Sequence, residues 1–182
     1  METLNIGIDS WIIQDGSYDN FVVGQDTKFA IEFYPLSLIL SECKEFSITE
    51  LKINQYKICG QVIFCTDKVW VLDFGFLAFK ESKPLEFATE GSWVEGEISL
   101  GIDPFFYFEY LKKLPNMPSL TYKFRIEKIL LETTPWIEMS DTKMLIRDIQ
   151  SESFQEVNKT DAWNDDNGNG GYILKCSVYK KV

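Results

Sequence analysis

The sequence contains no histidine and only two arginines among its 182 residues. The absence of histidine excludes the Ser-His-Asp and Cys-His arrangements of nucleophilic catalysis and the usual histidine-containing zinc and iron sites. No apolar run approaches the roughly 20 residues that a membrane-spanning helix requires. The N-terminus shows no basic cluster ahead of an apolar stretch, so we expect neither a secretion signal nor a membrane segment.

Cysteines are few, and no two of them are spaced as Cys-x-x-Cys. Small secreted domains usually have denser cysteine patterns, and cysteine metal sites usually draw their ligands from close pairs. The pattern therefore favours reduced, mostly buried thiols in a cytoplasmic protein. Glycine-rich nucleotide-binding motifs and the Gly-x-Ser-x-Gly motif are absent too, which excludes the common signatures of nucleotide binding and of α/β-hydrolases.

Basic residues are outnumbered: 28 Asp and Glu stand against 18 Lys and Arg, for a formal net charge of −10. This balance disfavours nucleic acid, because binding it depends on Lys and Arg that neutralise phosphates. Lys123 and Arg125 alternate with Tyr122 and Phe124 in a strand of the kind that contacts single strands, but Glu127 joins the basic face. The charge favours a basic protein, a polyamine or a metal ion as partner; solubility alone is the other explanation.

What the sequence has in abundance is apolar and aromatic side chains, in patterns typical of strands. Residues 28–34, 93–100 and 122–128 alternate between apolar and polar side chains, which predicts half-buried strands. Residues 69–79 are almost continuously apolar and predict a strand covered on both faces. Gly75 within that run suggests a bulge or a bend.

A short helix is predicted over residues 103–113. Asp103 can cap its N-terminus, Pro104 suits the first helical position, and Pro115 follows its end. Together with the strands, this helix predicts a mainly β protein with one or two short helices. We expect small, strongly curled sheets or barrels of the OB or SH3 kind.

No linker is long enough to separate independent domains, so we expect one compact domain over residues 1–182. A weak internal repeat, in which Trp70 aligns with Trp136, suggests two similar halves within that unit; chance alignment is the alternative. The predicted divisions are repeat halves at 20–75 and 87–141 and a C-terminal extension at 142–182, with a polar loop at 158–171 and a final strand at 172–178.

The polar loop contains a partial calcium motif. Asp165, Asn167, Asn169 and Gly170 match the first half of an EF-hand loop, in which alternate oxygen donors wrap the ion. Cys176 stands where the bidentate glutamate belongs, and a Gly- and Asn-rich hairpin turn explains the same residues. Calcium, bound by Asp165, Asn167 and Asn169, is the one cofactor that the sequence suggests.

Three carboxylates could contribute to a ligand-binding pocket. Asp73 lies inside the apolar run and is the candidate buried carboxylate, since burying it is costly unless it is hydrogen-bonded, paired or protonated. Glu95 and Glu97 share a strand face with Trp93, and two carboxylates beside an aromatic ring can hydrolyse glycosides. A solvated sheet face explains the two glutamates equally well. These residues support the alternative function, a small β-barrel that binds or processes a small ligand or carbohydrate.

Our principal expectation is a non-enzymatic protein whose acidic surface engages a basic protein partner, as an inhibitor, an immunity-type protein or an adaptor would. Tryptophan is enriched at binding hot spots, and three tryptophans here have acidic neighbours in sequence. Neither nucleic acid nor a membrane is an expected partner. The candidate binding residues are Trp93, Glu95, Glu97, Trp136, Glu138, Asp161, Trp163 and Asp165.

Overall fold

The computed structural model describes residues 3–139 and 142–181, and these residues form a mostly β structure with two short α-helices. The mainly β prediction is confirmed. The strands are β1 Thr3–Asp9, β2 Asp26–Leu40, β3 Ser47–Lys52, β4 Gln55–Cys65, β5 Val69–Asp73, β6 Leu77–Glu81, β7 Trp93–Ile102, β8 Thr121–Glu132, β9 Trp136–Glu138, β10 Leu145–Arg147, β11 Phe154–Val157 and β12 Gly171–Lys181, and the helices are α1 Ser10–Gln14 and α2 Phe106–Glu109.

The strands curl into two small rings that share β2 and β7. In the first ring, β1 pairs with β12, β12 with β8, β8 with β2, β2 with β7, and β7 with β1. In the second ring, β2 pairs with β7, β7 with β4, β4 with β5, β5 with β6, and β6 with β2. Single parallel pairs, Gly7 with Gly101 and Glu32 with Phe79, complete the two rings within the described residues, so neither is evenly closed.

Residues 29–33 of β2 are buried on both faces because this strand is a wall of both rings. Its apolar face, which includes Phe29 and Phe33, packs in the core as the alternation predicts. The prediction of a half-buried strand leaves the opposite face in solvent, but Ala30 and Glu32 on that face are buried as well. Burial of Glu32 is tolerated because Lys80 Nζ lies 2.8 Å from its carboxylate and the Tyr34 hydroxyl donates to it at 2.7 Å.

Replacing Lys80 by methionine should destabilise the fold strongly, because it leaves the buried Glu32 carboxylate without its cation. We expect the free energy of unfolding to fall by about 3 kcal/mol, the lower end of the range for breaking a buried pair, since Tyr34 still donates to Glu32. Urea denaturation measures this loss. The double variant K80M/E32Q should recover part of it.

The matched control is Lys128→Met, which breaks the exposed pair between Lys128 and Glu156, 2.7 Å apart. An exposed pair contributes about 0–1 kcal/mol, so this variant should change stability little. Equal losses in the Lys80 and Lys128 variants would contradict the buried role of Lys80.

Residues 69–79 form a hairpin, not the single strand predicted. β5 and β6 pair antiparallel, and the chain reverses at Gly75, whose φ of 98° favours glycine. Asp73 holds this turn: its Oδ1 accepts a hydrogen bond from the Gly75 amide at 3.0 Å. Asp73 is only half-buried, which corrects its assignment as a buried carboxylate. The predicted bend at Gly75 is confirmed, and it is a complete reversal of the chain.

The helix predicted over residues 103–113 is interrupted. Asp103 does accept the Tyr107 amide, at 3.1 Å from its nearer oxygen, but Phe105 has a φ of 78° and α2 begins only after it. Tyr110 then leaves helical geometry, and a 3₁₀ turn follows at Leu111–Lys113. Within residues 3–139 and 142–181, no helix is long and apolar enough to cross a membrane.

The single-domain organisation and the internal repeat stay predictions. Aligned positions of the two halves occupy different environments: Trp70 is 1 % exposed in the core, whereas Trp136 is 42 % exposed. Pro35 lies within β2, whereas Pro104, its counterpart, precedes α2. Any duplication would therefore have diverged in both packing and local structure.

Candidate functional site

The predicted binding residues lie on two separate parts of the fold. One group is on β7 and the other is on or near the hairpin formed by β9 and β10. The β7 group consists of Trp93, Glu95 and Glu97, and the hairpin group consists of Trp136, Glu138, Asp161, Trp163 and Asp165.

Two members of the β7 group are engaged within the protein. The half-buried Trp93 ring stacks on Phe46, with ring centroids 5.0 Å apart. Glu95 accepts a hydrogen bond from the Ser41 hydroxyl at 2.6 Å, and Glu97 alone is exposed. Trp93 and Glu95 thus hold the segment after β2 against the sheet, so this group is the weaker candidate for partner binding.

The β9–β10 hairpin is a separate two-stranded sheet held by one acidic side chain. Asp166 accepts from Trp136 Nε1 at 2.8 Å and from the Arg147 guanidinium at 2.6 Å. The guanidinium also lies 4.0 Å from the centre of the Trp136 ring and donates to the Thr134 carbonyl at 2.6 Å. These contacts fix the orientation of Trp136 while leaving part of its ring exposed.

Apolar side chains dominate the exposed part of this hairpin. Beside it, on the loop that Asp166 anchors, Trp163 is 67 % exposed, and Ile149 after β10 is 87 % exposed. Clusters of exposed apolar side chains commonly mark interaction sites. We call this set the hairpin surface: Trp136, Ile137, Met139, Met144, Leu145, Ile146, Ile149 and Trp163.

The two aspartates predicted near Trp163 have different roles. Asp165 is turned inward, where it accepts from the Asp161 amide at 3.0 Å and from the Tyr172 hydroxyl at 2.7 Å. Asp161 accepts from the Asn164 side chain, which lowers the pKa of the Asp161 carboxyl. Asp165 therefore shapes the loop, whereas Asp161 contributes charge beside Trp163.

Two of the predicted calcium ligands, Asp165 and Asn167, lie in a 3₁₀ turn at Asp165–Gly168, in which Asn167 has a φ of 56°, and Asn169 directly follows the turn. Asp165 already accepts two hydrogen bonds, and Asn169 donates back to its own turn. Among the described residues, no group of three or more His, Cys, Asp or Glu side chains could hold a metal ion. Calcium binding stays a prediction that this geometry does not favour.

Sequence reasoning missed a cleft of about 340 Å³ at the junction of the two rings, where β1 meets β7. Its lining residues come from β1, α1, β2, the turn between β3 and β4, β4, β7, β8, the start of β11 with the residues before it, and β12. They are therefore brought together only by the tertiary structure. Three of them are carboxylates, Asp9, Glu132 and Glu152, and none of the described lining residues is basic. No local motif in the sequence could have marked this site.

Two of the cleft carboxylates converge over Gly171. A Cβ at Gly171 would lie 3.0 Å from Glu132 Oε2 and 3.7 Å from Asp9 Oδ1. Burial raises the pKa of the Asp9 carboxyl, and a hydrogen bond from Trp11 offsets part of that rise. The negative charge at this point therefore favours a cationic group.

The cleft and the hairpin surface are connected by direct contacts. Tyr172 lines the cleft and donates to Asp165, on the loop that carries Trp163. On the other side, Glu132 Oε1 lies 3.9 Å from Arg147 Nε in β10. The cleft and the hairpin surface are therefore neighbours in the fold.

Comparison of the chain with protein-family models, curated proteins and solved structures finds no match. The candidate sites therefore stand on the geometry of this chain alone. The hairpin surface and the acidic cleft are its two most distinctive features.

Proposed function

We propose that this chain is a non-enzymatic binding protein whose acidic surface engages a basic protein partner, in the role of an inhibitor, an immunity-type protein or an adaptor. The observation that supports it best is the hairpin surface, a set of exposed apolar side chains on and beside the β9–β10 hairpin, near an acidic cleft on a chain of net charge −10. An apolar centre with a polar rim is the usual anatomy of a protein interface. Complementary charge accelerates association and selects partners.

Trp136 and Trp163 are the expected anchors of this interface. Trp136 is held by Asp166 and Arg147, so binding would cost little side-chain entropy there. Trp163 exposes most of its ring and would gain most from entering a pocket on the partner. The exposed Glu138, two residues beyond Trp136 on β9, would lie at the rim.

A cytoplasmic location and a protein partner are parts of the same proposal. The four cysteines are free, which suits a reducing compartment. The net charge of −10 argues for a protein partner over nucleic acid. The alternative of a small-ligand or carbohydrate-processing barrel has less support, because Asp73, Glu95 and Glu97 do not line the cleft.

The test is affinity capture from a lysate of the native source, with variants that change only the exposed surface. Immobilised wild-type protein should retain a basic protein that is released between about 0.1 and 1 M salt, as exposed charge contacts are screened. The variant W163A/I149A should lower the affinity of the purified partner by about 30-fold, as expected for loss of a tryptophan hot spot.

The matched control is I39A/L40A, which removes two exposed apolar side chains from β2. It should bind the partner as the wild type does, and all three proteins should unfold at the same urea concentration. Failure to retain any basic protein, or equal loss in both variants, would refute the proposal. Loss of stability in W163A/I149A would show that these side chains are structural.

A further inference from the structure

The cleft at the ring junction carries a more specific inference, which rests on the proposed function. We propose that the cleft is a socket for one arginine side chain of the basic partner. A partner seated on the hairpin surface would lie near the cleft, because the lining residues Tyr172 and Glu132 contact Asp165 and Arg147, which lie beside that surface.

Three glycines allow side chains of the cleft lining to lie directly against the backbone. A Cβ at Gly7 would lie 2.9 Å from Asn54 Nδ2, one at Gly101 would lie 2.8 Å from the Tyr34 ring, and one at Gly171 would lie 3.0 Å from Glu132 Oε2. Side chains at these positions would displace the walls or fill the space. The volume of about 340 Å³ falls in the range of ligand pockets, which is about 300–1,000 Å³, and it accommodates one long side chain together with neighbouring main chain.

The carboxylates that line the cleft could accept one added cation. Lys80 contacts the lining residue Tyr34, and Arg147 approaches the lining residue Glu132. Each of the two cations is already paired, Lys80 with Glu32 at 2.8 Å and Arg147 with Asp166 at 2.6 Å. The three lining carboxylates have no such close cation among the described residues; the nearest approach is the 3.9 Å between Glu132 and Arg147. A cation in the cleft would offset the desolvation of Asp9.

A guanidinium fits this arrangement better than an ammonium. Glu132 Oε2 and Asp9 Oδ1 approach one point from two different strands, and a planar group with five N–H donors can bond both. Tyr34 and Phe154 add aromatic surface to the lining, against which a guanidinium can stack. Arg147 combines these two interactions in this chain, because its guanidinium stacks over the Trp136 ring while it donates to the Asp166 carboxylate.

The experiment is an NMR titration of the full-length chain with N-acetyl-arginine amide. The matched probes are N-acetyl-citrulline amide, which has nearly the same shape without the charge, and N-acetyl-lysine amide. The amide signals of Gly7, Gly101 and Gly171 report on the cleft directly. We expect arginine to shift these three signals and to bind at least tenfold more tightly than citrulline and at least threefold more tightly than lysine.

Two variants locate the binding. Glu152→Gln changes an exposed side chain and should weaken arginine binding about threefold; D9N/E152Q should weaken it at least tenfold. The control Glu90→Gln removes one exposed charge outside the cleft lining and should have no effect. If D9N/E152Q does not fold, as judged by circular dichroism, Glu152→Gln decides alone.

The outcomes separate this inference from the proposed function. The arginine socket would be overturned if the three glycine signals did not move, or if citrulline or lysine bound as tightly as arginine. It would also be overturned if Glu152→Gln and Glu90→Gln had equal effects. A captured partner whose affinity D9N/E152Q leaves unchanged would also overturn it, while the proposed function stands. Arginine binding without any captured basic protein would support a guanidinium site but refute the protein partner.

Discussion

The variant Gly96→Ala should lose at least about 4 kcal/mol of unfolding free energy, a loss found only for severe defects, or should fail to fold. Gly96 lies in β7 with a φ of 141°, and a Cβ there would lie 1.9 Å from the Ser37 carbonyl oxygen in β2. The overlap cannot be relieved by a side-chain rotation, because the obstructing atom is backbone. It lies in the β2–β7 pair that both rings share, so separating these strands would disrupt both. Urea denaturation followed by tryptophan fluorescence measures the loss.

The matched control is Gly91→Ala. Gly91 also has a positive φ, 89°, but nothing lies within 4 Å of its expected Cβ. This control should lose only the roughly 1–2 kcal/mol that a left-handed conformation costs an ordinary residue. Similar losses in both variants would contradict the close approach of β2 and β7 at Gly96.

The carboxyl group of Asp103 should make the fold less stable as pH rises from 5 to 8. Burial raises the pKa of Asp103 to about 7, against the hydrogen bonds that it accepts from the Tyr107 and Phe106 amides. Between its ordinary pKa of 3.8 and about 7, the folded state binds the proton and the unfolded state does not. Stability therefore falls across that window and levels off above pH 7.

Asp103→Asn should remove this dependence, because the amide oxygen can still accept from Tyr107 but carries no charge. Relative to the wild type, the variant should gain about 2–3 kcal/mol between pH 5 and pH 8, from 1.4 kcal/mol for each pH unit in the window. Urea denaturation at each pH gives the difference. A constant difference across that range would contradict a buried, protonated Asp103.

The control Asp161→Asn should show no such change with pH. Hydrogen bonds from Asn164 lower the pKa of the Asp161 carboxyl, so its contribution is present above pH 4 and is lost only in acid. Its difference from the wild type should therefore stay constant between pH 5 and pH 8. A slope matching that of Asp103→Asn would point to a general effect of surface charge.

The strands themselves could be predicted because alternation is a local property. The three alternating segments lie within β2, β7 and β8, and Asp103 accepts a hydrogen bond from the first turn of α2, as its predicted capping role requires. The errors occurred where longer-range packing decides the outcome. Residues 69–79 reverse at Gly75 because β6 closes the second ring against β2, and no local pattern specifies that closure.

The candidate site was predicted only in part. Trp136 and Trp163, two of the candidate binding residues, are exposed, but a sequence cannot show that Asp166 joins their two segments. The inward role of Asp165 was missed for the same reason, because its partner Tyr172 lies across a turn on β12. The sequence does not show that Trp93 stacks on Phe46, because Phe46 comes from a distant segment.

The amino-acid sequence by itself determined the β-strand content, the strongly negative charge and the absence of histidine chemistry, since composition and residue alternation decide these properties. The tertiary structure alone decided which carboxylates meet. Asp9 and Glu132 lie more than a hundred residues apart, and they converge because β1 pairs with β12 and β12 with β8. Strand register over such separations depends on the packing of the whole core, so the cleft exists only once both rings have closed.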